Sequence, residues 1–218
     1  FKTLIKDLKE QQQQPQQQQQ AAQQQRVPKR LGNIYALCDV DLDFSAHVIK
    51  GYPKAKVYQD FRKMLDTEKE IDAITIGTPD HMHAPIAAYA MKMGKHVYVE
   101  KPICKTVFES RELRRIAKEM NVVTQMGNQG HATEGTRQTV EMVQSGAVGK
   151  ITRVDAYTGA PSWPQGDLQR PAGVPVPSTL DWDLWLGCAP VKPYHPDICH
   201  FNWRGLQDYG TGAMGDWG

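Results

Sequence analysis

Lys101 stands between Glu100 and Pro102 at the close of an apolar run, His96–Glu100 (HVYVE), that reads as a buried strand. Proline disfavours helical backbone at the residue before it, so Lys101 stays extended and carries its ammonium past the strand end. A lysine there can hydrogen-bond a substrate hydroxyl and stabilise alkoxide as a hydride leaves. The plainer alternative is a surface Lys–Glu pair, which contributes little. Three other apolar runs end in polar groups. Asp39 closes Asn33–Val40 (NIYALCDV), Thr78-Pro79-Asp80-His81-Met82-His83 follows Asp72–Gly77 (DAITIG), and Asn128-Gln129-Gly130-His131 follows Val122–Gly127 (VVTQMG). In an open parallel sheet, ligands bind beyond the carboxyl ends of the strands. One polar strand end is weak ground, but four on one edge point to a site.

Asp39 has a specific task open to it. An acid ending the second strand of a dinucleotide fold accepts hydrogen bonds from the adenosine ribose diol, and it repels a 2′-phosphate, which favours NAD over NADP. The alternative is that Asp39 caps a turn. The matching Gly-x-Gly-x-x-Gly belongs about twenty residues upstream, where a Gln-rich tract, residues 11–25, stands instead. The Gly-rich loop and the first strand are therefore expected upstream of Phe1. His81 and His83 form an H-x-H pair, and Cys199-His200 lie close to His195. A closed zinc site needs about four converging ligands, and neither group has a second pair, so no metal is expected.

The elements that must hold these groups alternate. The Gln tract has nothing apolar to bury and reads as a disordered insertion. Ahead of it, Phe1, Leu4, Ile5 and Leu8 are spaced like the end of an amphipathic helix. After the tract, strand-like runs alternate with helical patterns over Asp60–Asp66, His83–Met93 and Glu134–Ser145. Pro85 suits the first turn of the second of these, and Gly94 its stop. The helix following Lys101 opens on a Thr106–Glu109 capping box and carries a core stripe of Leu113, Ile116, Ala117 and Met120. Such alternation predicts an α/β fold, a Rossmann-type doubly wound parallel sheet with its first strand missing. From Lys150 the pattern changes. Ile151–Thr158 (ITRVDAYT) alternates like a strand with one wet face, and a Pro- and Trp-rich stretch follows. The expected division is 1–149 as a partial nucleotide-binding domain and 150–218 as the start of an α+β sheet domain that shapes a substrate pocket.

Composition narrows the classes. With 40% hydrophobic and 23% charged residues the chain is an ordinary globular protein, and its 218 residues suffice for one to one and a half domains. A net charge of +2 and the lack of any basic run interleaved with aromatics make nucleic acid a poor partner. No apolar run is long enough to span a membrane. Cys38, Cys104, Cys188 and Cys199 lack C-x-x-C spacing and read as reduced, structural thiols.

Glu100-Lys101-Pro102 after a strand, with Thr78-Pro79 and a following His one strand earlier, resembles the glucose–fructose oxidoreductase, inositol dehydrogenase and rhizopine-catabolism (Gfo/Idh/MocA) family. Gly210-Thr-Gly-Ala-Met-Gly-Asp216-Trp-Gly218 is similar to that family's glycine-rich segment leading to its catalytic Asp and His. Met126-Gly-Asn-Gln-Gly-His131, Trp163-Pro-Gln-Gly166 and Asp181-Trp-Asp-Leu-Trp-Leu-Gly187 look like a bacterial branch, so the likeness runs from about residue 33 to 218. The resemblance implies NAD across the strand ends. Asp39 would meet the adenosine ribose, and Thr78, Pro79 and His83 the middle of the cofactor. Glu100, Lys101 and Asn128 would lie toward the nicotinamide. It makes Lys101 and Asp216 catalytic, Asp216 orienting a histidine four residues later, beyond Gly218. It turns His131, Trp163 and Arg204 toward substrate. The implied activity is hydride transfer between NAD and a carbinol of a sugar or polyol by a protein longer at both ends, a homo-oligomer when complete, with this piece alone inactive. A redox-assisted glycoside hydrolase of the same fold and a non-catalytic sugar- or nucleotide-binding regulator are the rivals.

Overall fold

The computed structural model describes residues 32–157, 159, 162–166 and 168–217. The expected N-terminal helix and the Gln tract lie outside them. Elements follow in the order β1 (Ala36–Cys38), α1 (Ala46–Gly51), β2 (Lys56–Tyr58), α2 (Phe61–Thr67), β3 (Ala73–Ile76), α3 (Asp80–Lys92), β4 (His96–Glu100), α4 (Val107–Met120), β5 (Thr124–Gly127), α5 (Glu134–Gln144), α6 (Trp182–Leu186) and α7 (Gly212–Trp217). Short 3-10 turns occupy Gln129–Ala132 and Asn202–Gly205.

All strand pairings within the two sheets are parallel. β1 pairs with β2, Leu37 opposite Val57, and a second sheet runs β3-β4-β5 with Ile76, Val99 and Met126 in one row. Parallel neighbours need crossover connections, and the helices supply them. In the doubly wound order 3-2-1-4-5-6, the two sheets match the wings on either side of strand one. The core between sheet and helices holds Leu65, Ala87 and Ala90, each fully buried, with Met91, Val97, Val99, Leu113 and Ile116. Alanines in α3 let its backbone sit close to the strands, while Leu65 and Val99 each contribute about 1.5–3 kcal/mol by burial.

Local chemistry sets the helix ends. Asp60 caps α2 by accepting from Arg62 N at 2.9 Å. Thr106 and Glu109 form the expected reciprocal capping box on α4, and Gly146, at φ +76°, turns the chain after α5. α3 begins at Asp80 rather than His83, so His81 and His83 are helical and Pro85 lies inside the helix. Proline lacks an N–H, so the His81 carbonyl has no helical donor at that position. The Cys188 thiol donates to it instead, Sγ to O at 3.2 Å. Met120 is 39% exposed and leaves the predicted stripe, because the helix is ending there. α1 and β2 were not anticipated. α1 buries no residue and so has no apolar period, and β2 has three residues.

The expected strand over Ile151–Thr158 is not found. Residues 151–157 form no ladder with any described residue and are exposed throughout, Val154 at 80% and Tyr157 at 96%; Thr158 lies outside the described residues. A strand with one apolar face needs a ladder partner and a core beneath it, and among the described residues neither lies against this segment. Order returns around an aromatic cluster of Leu180, Trp185, Tyr194, Ile198, Trp203 and the fully buried Tyr209. Trp182 and Trp185 stack with ring centroids 4.6 Å apart. Such a cluster has no sequence period. It is sewn to the end of β1 through Asp181 N to Val40 O (2.9 Å) and an antiparallel bridge between Asp41 and Leu180. No described helix is long and apolar enough to cross a membrane.

Candidate active site

A cavity of about 620 Å³ opens along β1 and β3 toward the carboxyl ends of the strands. That volume falls within the roughly 300–1,000 Å³ usual for small-molecule sites. Cys38, Leu65, Ile74 and Ile76 form its apolar floor, and Asp39, Thr78, Glu100, Lys101, Arg204 and Asp216 its polar rim. Burial pushes the Cys38 thiol up to about 12, with Asp39 and Asp60 adding to the shift, so it stays a neutral wall group.

Asp39 follows β1 directly. Its Oδ1 accepts from Asp41 N at 2.9 Å, and among the described residues Oδ2 has no hydrogen-bond donor. Burial raises its pKa, the Asp41 N–H bond opposes the shift, the Asp41 carboxylate adds to it, and His200 works against it. A half-satisfied carboxylate at this strand end fits the two hydroxyls of a ribose. Asp41 pairs with His200, Oδ2 to Nε2 at 3.2 Å, and the His200 ring stacks on Phe44 at 4.2 Å. In the sequence His200 stands only as part of a Cys-His pair. Its position depends on a backbone φ of +72°, for which no signal exists in the residue type.

Lys101 leaves β4 over a cis bond to Pro102 and reaches α7. Its Nζ donates to the Asp216 carboxylate and, at 2.8 Å, to the Asp216 carbonyl. The lysine side chain remains 43% exposed and the aspartate 14%. Glu100 turns the other way, across the end of β5. Its Oε1 accepts from Gln129 Nε2 at 2.7 Å, and a Cβ on Gly127 would come within 2.6 Å of Oε2. His83 lines the cavity wall, but both ring nitrogens face protein carbonyls, Nδ1 to Pro102 O at 2.6 Å and Nε2 to Thr78 O at 2.7 Å. Its hydrogen-bonding edge is thus turned to the loop that carries Lys101. Pro79 and Thr78 lie where β3 passes into α3 and also line the cavity.

Three expected residues do not reach it. Asn128 and His131 are exposed, because the chain leaves β5 in a 3-10 turn that brings Gln129, rather than either of them, to Glu100. Trp163 is buried at 6% exposure against Phe201, with Nε1 unpartnered among the described residues, and does not line the cavity. Its ring is one of three around Arg204, whose guanidinium lies 4.4 Å from the Trp203 ring centre, 4.7 Å from Phe201 and 5.8 Å from Trp163. Asp80, singled out only within its motif, is a buried rim residue whose Oδ2 accepts from Thr211 N at 3.0 Å and Thr211 Oγ1 at 2.8 Å. No group of three or more His, Cys, Asp or Glu converges for a metal among the described residues.

Comparison with known proteins bears on both halves of the chain. Residues 10–128 match the model of the GFO_IDH_MocA oxidoreductase family, NAD-binding Rossmann fold, and residues 135–218 match that family's C-terminal alpha/beta domain. Levoglucosan dehydrogenase of Pseudarthrobacter phenanthrenivorans is 27% identical over 115 residues, 53% of this chain and 29% of the relative. A glycosyl hydrolase family 109 protein of Phocaeicola vulgatus is 32% identical over 130 residues, 56% of this chain and 31% of the relative. Among solved structures, myo-inositol 2-dehydrogenase of Lactobacillus plantarum superposes with a TM-score of 0.53 at 30% identity, over 57% of this chain and 37% of that one. The chain spans about a third of the length of these relatives.

Proposed function

Because the chain belongs to the Gfo/Idh/MocA oxidoreductase family, we propose that the complete protein moves hydride between NAD and a carbinol carbon of a sugar or polyol. One observation carries this most: Lys101 and Asp216, 115 residues apart in sequence, meet at the rim of the cavity that Asp39 also lines. An exposed cation paired with a half-buried carboxylate beside an apolar-floored cavity suits a reaction that develops charge on one oxygen. A regulator that only binds sugar has no need of that pair.

In this proposal residues 1–149 hold the cofactor and 150–218 begin the domain that shapes the substrate pocket. Asp39 accepts the ribose hydroxyls through the oxygen its own loop leaves open. Thr78 and Pro79 wall the cofactor's middle, and Glu100, fixed by Gln129, lies toward the nicotinamide end. NAD, when bound, supplies the hydride-accepting carbon. Lys101 donates to the substrate hydroxyl and stabilises negative charge on its oxygen, Asp216 holds the ammonium, and the hydroxyl proton would pass to the histidine that the family resemblance implies four residues after Asp216. Arg204, pinned over three rings with Nη1 donating to Phe201 O at 3.0 Å, offers its remaining N–H groups to a substrate oxygen.

The test is Lys101→Met in the full-length protein. Losing one preorganised donor lowers the rate at saturating substrate on the order of 10²–10³-fold, while cofactor affinity and melting temperature stay near the parent's. Methionine keeps most of the stem's bulk beside Pro102. A parent-like rate in a normally melting variant makes Lys101 a surface lysine and overturns the mechanism. A net oxidised sugar with reduced NAD is the expected product, and cleaved glycoside with unchanged cofactor contradicts it.

A further inference from the structure

We propose that Asp80 is a positioning residue that sets Asp216 against Lys101 by anchoring Thr211 at the start of α7. The inference rests on the proposed roles of Lys101 and Asp216, to which it adds a part neither motif names.

The Asp80 carboxylate is buried, with the residue 5% exposed, at the first position of α3. Its Oδ2 takes both bonds that Thr211 can offer, one from the backbone N–H and one from the hydroxyl. The next residue of α3 adds a third tie, His81 N donating to Tyr209 O at 3.1 Å. The same first turn grips the other member of the pair, because His83 Nδ1 faces the carbonyl of Pro102, the residue after Lys101. Two carriers that come from distant parts of the chain are therefore held by one rigid turn of helix.

From Thr211 to Asp216 no loop intervenes. α7 begins at Gly212, and five residues at 1.5 Å rise per residue put Asp216 only about 7.5 Å along the axis from its anchor. Displacement of Thr211 is transmitted to the carboxylate with little slack. The seat is also tightly shaped. A Cβ on Gly215 would lie 2.3 Å from Thr211 Cβ and 2.5 Å from its hydroxyl, so glycine one turn along leaves room for the threonine to face Asp80. Burying a carboxylate is unfavourable without compensating bonds. Burial does raise the Asp80 pKa, and the Thr211 hydroxyl bond is the largest of the effects that lower it. A buried acid whose strongest bonds go to the root of α7 has the arrangement of a fixing point.

Asp80 also lines the cavity, so a direct contact with the cofactor is the competing role, and the test separates the two. The full-length protein is made as parent, Asp80→Ala, Asp80→Asn and Thr211→Val. Each is treated briefly with an amine-acetylating reagent, and labelling at Lys101 is read by peptide mass spectrometry against the exposed Lys150. In the parent, pairing with Asp216 slows labelling of Lys101. Asp80→Ala speeds it several-fold relative to Lys150. Asp80→Asn keeps an oxygen able to accept both Thr211 bonds and restores the parent rate. Thr211→Val, which loses only the hydroxyl, falls between, and it decides the matter if Asp80→Ala does not fold. In turnover, Asp80→Ala lowers the rate at saturating substrate by up to about 10²-fold, the scale of a 1 Å misplacement, with cofactor affinity unchanged.

Parent-like Lys101 labelling in folded Asp80→Ala, or in Thr211→Val if only that variant folds, overturns the proposal. So does acceleration by Asp80→Asn equal to that by alanine, or a loss of cofactor affinity that tracks the loss of rate. The labelling result stands whether or not the protein oxidises a sugar. A failure of the hydride-transfer proposal appears separately, as parent-like turnover in Lys101→Met.

Discussion

Asp39 offers the cleanest separation of binding from chemistry at the scale of one residue. Its Oδ1 is already committed to Asp41 N, and its Oδ2 is the group proposed to meet the ribose. That contact is the same before and during hydride transfer, so its loss is uniform binding. Asp39→Ala in the full-length protein is expected to weaken NAD affinity while leaving the single-turnover rate at saturating cofactor nearly unchanged. Calorimetric titration together with stopped-flow nicotinamide absorbance measures both, and a collapsed saturated rate with intact affinity contradicts the role. Gly127 is a second single-residue test. Alanine there would drive its Cβ into the Glu100 carboxylate, so Gly127→Ala should detach Glu100 from Gln129, seen as loss of that contact in a crystal structure of the variant. The residues legible from sequence were those a topological rule locates: an acid, a Thr-Pro and a Lys-Pro at strand ends must share an edge. Asn128 and His131 stand beside equally plausible motifs, but whether a 3-10 turn aims such a residue in or out depends on backbone angles that the motif does not carry.

Among the elements, α3 is central because its first turn contacts β3, the Lys101 loop, α6 and the root of α7. Its His81 is the buried hinge pin. Nε2 lies 2.9 Å from the Trp185 carbonyl, an acceptor only, so that nitrogen carries the proton, and Nδ1 has no partner among the described residues. Burial lowers the His81 pKa below its ordinary 6.5, outweighing the opposing backbone bonds. The folded protein therefore binds fewer protons here than the unfolded chain as pH falls below 6.5. Stability from this site is present above that pH and declines below it, down to the depressed folded value. Comparing melting temperatures of parent and His81→Gln from pH 7.5 to 5, the parent should lose ground to the variant as pH falls. A constant difference would mean that folding does not change how readily His81 takes up a proton. Elements with strong local signals were legible: the α4 capping box, the apolar runs of β3 and β4, and the glycine after α5. α1 and β2 were not, since a short element that buries little has no periodicity to read. The start of α3 was misjudged by three residues because Pro85 suits a first turn, whereas here the lost hydrogen bond is offset by the Cys188 thiol.

At the level of the whole molecule, the segment from Thr179 to Asp216 is fastened over the strand ends by contacts of very different kinds. Lys105 Nζ donates to the carbonyls of Gln207 (2.6 Å) and Asp208 (2.9 Å), Gln59 bridges the carbonyls of Val40 and Thr179, and Met82 packs onto Gly187. The last is the tightest. Gly187 has φ +52°, and an added Cβ would fall 2.1 Å from Met82 Sδ. Gly187→Ala is therefore expected to cost about 1–3 kcal/mol through overpacking, read as a lower urea midpoint with unchanged slope. A neutral result would mean that the seam can open without disturbing the Rossmann part. This half of the molecule was the least legible, because it is held by aromatic stacking and carbonyl contacts rather than by repeating apolar positions. The alternation in Ile151–Thr158 suggested a strand, yet a pattern shows only that a segment could serve as one.

The distance along the chain between Lys101 and Asp216 also orders events in time. Synthesis proceeds at about 5–20 residues per second, so the 115 residues between the two take about 6–23 s to appear on the ribosome. During that interval β1 to β5 can pair and their polar ends can form, since every strand involved precedes residue 128. The lysine then waits in an edge that already carries Asp39 but lacks its partner carboxylate. The strand-end edge is thus in place before α7 exists, and α7 is the part whose arrival completes the Lys101–Asp216 pair.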